Sequence, residues 1–227
     1  MKYFRGCIAA FAWWASSSAF ADPIYTPARL SDGEQSLEAL LRLPELEPGT
    51  YTVYCELLAR KSGKIAHMTC YAGESLPEHL DGLPLSVAKS ARLARVIPAT
   101  RDGKAIDAFM LISVRIHITS SGPQVLVVPN NGADAKRYGL LYTAPQRINE
   151  FGFGPRMRCK GICFVWMRME IDERGKVVTY HVDRPANSDS SFYQKLERSI
   201  QRMEFIPGRY EGKPVPMNYV EPLHSLW

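Results

Sequence analysis

A single phrase stands in this chain in two versions. "VIPATRDGKAIDAFML", residues 96–111, returns as "FIPGRYEGKPVPMNYV", residues 205–220. Each version runs apolar–Ile–Pro, three residues, acid–Gly–Lys, and then strand-forming residues. A long-period repeat constrains a fold more than any single element does, because each copy must solve the same packing problem.

The repeat extends upstream. In the second copy "SSFYQKLERSIQRM" places Phe192, Leu196, Ile200 and Met203 on one helical face, with Ser190 or Ser191 as the N-cap. In the first, "PLSVAKSARLARV" sets Val87, Ala91 and Ala94 in register with Leu196, Ile200 and Met203. Pro98 and Pro207 stop each helix or the turn after it, since proline cannot continue a helical ladder. Ahead of each helix stands a hairpin pattern. In "FVWMRMEIDERGKVVTYHVD" a two-residue Arg174-Gly175 turn pairs Ile171 with Val178, Met169 with Tyr180 and Met167 with Val182. A Ser62-Gly63 turn likewise pairs Ala59 with Ala66, Leu57 with Met68 and Cys55 with Cys70. A slip of one residue would turn every apolar side chain to the wrong face, so the pattern sets the register.

The first 21 residues read separately. "MKYFRG" is basic, "CIAAFAWWASSSAFA" is a short apolar run, and Ala19-Phe20-Ala21 is a small–x–small site. The expectation is a secretory signal cleaved between Ala21 and Asp22, with export to the periplasm and no membrane span afterwards. Losing Lys2 and Arg5 takes two charges from a formal +5, which leaves no nucleic-acid footprint. Four cysteines then lie in an oxidising space, where an even count reads first as disulfides. Cys55 and Cys70 face each other across a hairpin and are expected to be bridged. Cys159 and Cys163, spaced C-x3-C, bridge each other if Gly161 lets the chain turn. Their second reading, with Met157, Met167 and Met169 nearby, is a Cu(I) or thiol-redox site.

Strand–strand–helix–strand order with "PATRDGKAIDAFMLISVRI", residues 98–116, resembles the C-terminal domain of TonB-family proteins, and residues 164–220 resemble it too. The resemblance implies an α+β protein of two tandem small domains. Each would be a three-stranded antiparallel sheet with a packed helix, over residues 22–120 and 146–227, joined by a linker at 121–145. Within that linker "QVLVV" is a candidate extra strand for the first domain. The resemblance also implies a binding role: a segment of a periplasmic or outer-membrane protein would add as a strand to a sheet edge. The edge would be the last strand of a copy. That means Ala108, Met110, Ile112 and Val114 in the first, and Met217, Asn218, Tyr219 and Val220 in the second. The chain has no long proline-rich spacer, which directs the resemblance toward binding in the envelope rather than energy transduction.

Chemistry has little purchase elsewhere. His67, His79, His117, His181 and His224 form no zinc spacing, and no nucleophile elbow, phosphate loop or dinucleotide motif occurs. The expectation is a non-enzyme without cofactor or metal. A hydrolase in an inter-domain cleft is the remaining catalytic alternative. Arg92, Arg95 and Arg101, and Arg156, Arg158 and Lys160, read first as solvated faces and second as contacts for anionic envelope polymers.

Overall fold

The computed structural model describes residues 22–73, 76–77, 80–148, 164–183 and 190–224. Over these it is an α+β protein, with mostly antiparallel sheets and few helices. The expected signal segment through Ala21, the Cys159 and Cys163 pair, and Arg156, Arg158, Lys160 and His79 lie outside the described residues.

The first half contributes strands β1 (Gly49–Ala59) and β2 (Ile65–Ala72), helix α1 (Leu83–Ala91) and strand β3 (Ala108–Thr119). The strand expected at "QVLVV" forms as β4 (Gly122–Val128), and the two-residue strand β5 (Gln146–Arg147) follows. The second half contributes β6 (Phe164–Ile171), β7 (Val177–Val182), α2 (Ser190–Ile200), β8 (Phe205–Ile206) and β9 (Met217–His224). One sheet reads β2-β1-β3, and the other reads β7-β6-β9. Both therefore place the second hairpin strand outside, the first in the middle and the last beyond it. The first sheet is larger than the three strands expected. β4 pairs with residues 113–119 of β3, β5 pairs with Phe109, and β8 pairs with β5. Through β8 the second half contributes a strand to the first half's sheet.

The repeat persists at the level of single hydrogen bonds. Gly63 N donates to Arg60 O and Arg60 N to Lys64 O; Gly175 N donates to Asp172 O and Asp172 N to Lys176 O. These are three-residue turns with the glycine in the left-handed region, φ 78° and 79°. The two-residue turns expected from sequence are corrected accordingly. Each turn carries a bulge, so Ala59 pairs with Ile65 and Ile171 with Val177. Farther from the turn the expected pairs hold: Leu57 with Met68, Cys55 with Cys70, Met169 with Tyr180 and Met167 with Val182. In each copy the first residue of the short strand after the helix donates to the turn glycine, Val96 N to Gly63 O and Phe205 N to Gly175 O. A Cβ on Gly175 would collide with the Phe205 carbonyl, so this approach requires glycine.

The acid–Gly–Lys phrase is also a turn. Asp102 and Gly103 have φ 50° and 76°, and Glu211 and Gly212 have φ 50° and 77°. Two successive residues at positive φ make the two-residue hairpin turn whose twist matches its strands. It joins Ala99–Arg101 to Lys104–Ile106 in one copy and Arg209–Tyr210 to Lys213–Pro214 in the other.

Each sheet buries one face under its helix. Val53, Cys55 and Leu57 with Met110, Ile112 and Val114 pack against Val87 and Ala91. Met167, Met169 and Ile171 with Met217 and Tyr219 pack with Phe192, Leu196 and Ile200. Leu111 belongs to the other face of the first sheet and is buried in the second core. The reverse of the first sheet is thus covered by the second half. Cys55 and Cys70 are joined by a disulfide, with Cα atoms 4.1 Å apart.

Candidate functional site

Strand-edge hydrogen bonding is the chemistry expected of this chain. Ala108, Met110, Ile112 and Val114 are all buried. Their strand is not an edge, because β1 lies along one side and β4 and β5 share the other. The expectation of an open edge there is corrected: Val114 pairs with Val127, and Phe109 with Arg147. Of the two covering strands, β4 is the one expected at "QVLVV" within 121–145, and β5 stands just beyond that segment.

Met217, Asn218, Tyr219 and Val220 do lie in the outer strand β9. Met217 and Tyr219 point into the core, with Tyr219 edge-on to Phe205. Three backbone groups along its outward edge are held by side chains. Asn131 Nδ2 donates to Val220 O at 2.8 Å, and Tyr138 Oη donates to Pro216 O at 3.0 Å. Asn218 donates twice to Asp134, from its backbone N and its Nδ2, each at 2.7 Å. Residues 216, 218 and 220 recur at the strand period of two, and 131, 134 and 138 recur at roughly one helical turn. A short helical segment, Ala135–Tyr138 with the residues before it, therefore runs along the strand as a side-chain cap. Tyr142 anchors it by accepting from Asp134 N at 3.0 Å, and burial pushes that phenol up to about 12.

The opposite edge differs. Asn218 N and Val220 O point away from β6, so the alternation of the ladder fixes where every other group points. Carried across β6, it turns the N–H and C=O of Tyr180 and Val182 outward from β7, while Val178 is the extra residue of the bulge. Among the described residues no strand and no side chain bonds them. The run Val177–Val182 reads VVTYHV, β-prone and without a formal charge, and Val178 is 60 % exposed. A concavity of about 610 Å³, lined by Tyr180, His181, Val182, Asp183 and Glu197, lies beside it.

A buried ionic cluster lies where the two halves meet. Arg147 Nη2 donates to Glu56 Oε1 at 3.1 Å and to Glu221 Oε1 at 2.8 Å. Its side chain is 3 % exposed, and its guanidinium sits 4.0 Å from the centre of the Phe109 ring. Glu56 and Arg147 come from the first sheet, on β1 and β5, and Glu221 comes from the second. Two carboxyls thus face one cation, with the buried Tyr219 phenol beside them. Burial, and then the Glu221 carboxylate, hold the Glu56 carboxyl well above its usual range. Burial opposes the charge of Arg147, but Glu221, Tyr219 and Glu56 more than offset it. Tyr71 and Trp166 meet edge to face across the same joint, 5.9 Å between centroids.

This arrangement predicts how stability varies with pH. A carboxyl whose folded-state pKa is raised contributes fully below its unfolded value, and that contribution is lost as pH rises through the folded value. Glu56→Gln keeps an acceptor for Arg147 and supplies a donor toward Glu221, as the protonated acid does. The variant is expected to match the parent near pH 4 and to exceed it increasingly toward pH 8. The gain is on the order of 1.4 kcal/mol for each unit by which the folded pKa is raised. Urea midpoints across that range are the measurement, and a variant less stable than the parent at pH 8 would refute the reading.

A cleft of about 460 Å³ opens between Tyr25 and Arg101 of the first half and Glu204, Phe205 and Arg209 of the second. Arg209 donates to Tyr25 O and Gly212 O at its wall. Its described lining holds no Ser, Thr, Cys or His. Among the described residues no group of acidic, His and Cys side chains has a metal-binding arrangement, and no helix is long and apolar enough to cross a membrane. His67 and His181 lie on exposed positions. No protein-family model matches the chain, and no curated protein or solved structure does either. The class shown is therefore that of an α+β protein with antiparallel sheets. Sequence reading missed Asn131, Asp134 and Tyr138, which sit among turn-formers. It also missed Glu56, Arg147 and Glu221, which are far apart in the chain and meet only in the fold.

Proposed function

We propose that the chain is a periplasmic protein-binding module of two tandem TonB C-terminal-like domains, over residues 22–120 and 146–227. It accepts a strand from an envelope protein of the outer-membrane transport machinery. The repeated strand–strand–helix–strand order and its matching hydrogen bonds support the tandem reading. The disulfide suits an oxidising compartment.

The observation that carries the binding role is the open row of backbone groups on β7. An uncharged, β-prone edge invites pairing with another chain, and natural proteins usually blunt such edges. Here β9 is capped and β3 is covered, while among the described residues β7 is neither. Strand addition draws affinity from main-chain bonds and selectivity from adjacent pockets, and the concavity at Tyr180 and Glu197 offers one.

Proline at an outward-facing edge position deletes a donor without touching the internal ladder. A photo-crosslinking residue at Val178 is expected to trap one discrete envelope protein in cells, and Tyr180→Pro is expected to abolish the product. The same probe at Asn218 should trap nothing until Asp134→Ala opens the cap. Crosslinks at Val178 that survive Tyr180→Pro would rule out strand addition at β7.

A further inference from the structure

The two copies differ on the outward face of their helices. In α1 and the turn after it, Leu83, Val87, Ala88, Ser90, Ala91 and Ala94 are buried. At 100° per residue the other arc holds Leu85, Lys89, Arg92 and Leu93. Leu85 is 59 % exposed and Leu93 is 69 % exposed, and Lys89 and Arg92 are exposed too. Arg95 and Ile97, just beyond, are also exposed. Residues 83–97 contain no acid. None of Lys89, Arg92 and Arg95 forms an ion pair among the described residues.

The duplication supplies its own control. With Val87, Ala91 and Ala94 aligned on Leu196, Ile200 and Met203, the equivalents of Leu85, Lys89, Arg92 and Leu93 are Gln194, Arg198, Gln201 and Arg202. Helix α2 buries the same face, and its outward arc is wholly polar. Packing under the sheet therefore does not call for leucine at these two positions. Leu85 and Leu93 are exposed apolar side chains among cations, on a helix whose sister does without them.

We infer that the outward face of α1 is a docking surface for an anionic lipid bilayer, with Leu85 and Leu93 entering the headgroup region and Lys89, Arg92 and Arg95 holding its phosphates. Charge complementarity selects the occupant: three cations and no acid favour an anionic surface. Area selects it too. Two leucines and a neighbouring isoleucine fall far short of the roughly 800 Å² per partner of a stable protein interface, whereas shallow interfacial insertion needs only such a stripe. This surface does not involve β7, so it stands independently of strand addition.

Flotation of the chain beginning at Asp22 with lipid vesicles tests the inference. Vesicles of equal phosphatidylglycerol and phosphatidylcholine are expected to bind at least about tenfold more tightly than pure phosphatidylcholine, with binding weakened by salt. Leu85→Gln with Leu93→Arg, which installs the residues of α2, is expected to weaken binding about tenfold although it adds a charge. Lys89→Gln with Arg92→Gln should weaken it similarly, and Arg198→Gln with Arg202→Gln on α2 should not. Thermal midpoints check that the variants stay folded. Binding unchanged by the leucine replacements would overturn the inference in favour of simple charge attraction. Failure to bind the anionic vesicles would overturn it outright, as would a leucine-dependent dimer of the free chain in sedimentation, which would assign the face to a second copy.

Discussion

Arg147→Leu is expected to destabilise the protein by roughly 3–5 kcal/mol at neutral pH, the cost of breaking a buried ion pair from one side. The guanidinium donates from one nitrogen to carboxylates of both halves, so its loss leaves two buried acids facing each other. Repulsion then acts at the joint itself, between the first sheet and the last strand of the second. The loss should shrink at acid pH, where Glu56, held above its usual range by burial, takes up a proton and the repulsion is relieved. Urea unfolding at pH 4 and pH 7 measures both effects. Exchanging the cluster for packed apolar residues, with Arg147→Met, Glu56→Leu and Glu221→Leu together, should recover most of the stability, because no charge is then left unpaired. An Arg147→Leu midpoint equal to the parent's at pH 7 would show that water reaches the cluster and screens it.

What sequence could reveal here follows the range over which each constraint acts. Helix faces and hairpin register are local, and the buried set Phe192, Leu196, Ile200 and Met203 follows from spacing alone. Cys55 opposite Cys70 follows from the same arithmetic. The bulges escaped because a glycine in a hairpin turn fits both two- and three-residue loops, which differ by one residue on one strand. Val178 was placed in the core for that reason and is exposed. Glu56 alternates correctly as an outward residue of its hairpin, yet the outward face is covered by the second half. No periodicity within one copy can show what the other copy lies upon. Arg147, within "APQRINE", sits among residues that read as loop and is among the most buried cations of the fold.

The duplicated hairpins also separate what a disulfide does from what the strand pairing does. Cys55 and Cys70 hold the positions that Met167 and Val182 hold in the second hairpin, and both pairs keep the same register. Pairing geometry therefore does not depend on the bridge. Its contribution lies in the unfolded chain, where closing a loop across a separation of 15 residues removes conformational freedom. In the chain-entropy account that amounts to about 3 kcal/mol. Cys55→Ala with Cys70→Val keeps the apolar volume and is expected to lower the urea midpoint by that free energy, leaving far-ultraviolet dichroism and the crosslink at Val178 unchanged. Reducing the parent with dithiothreitol should produce nearly the same shift, since both treatments free the same loop. If the two disagree, so that reduction leaves the midpoint in place while the double variant lowers it, the loss belongs to packing around Cys55, and the bridge contributes little to holding this fold.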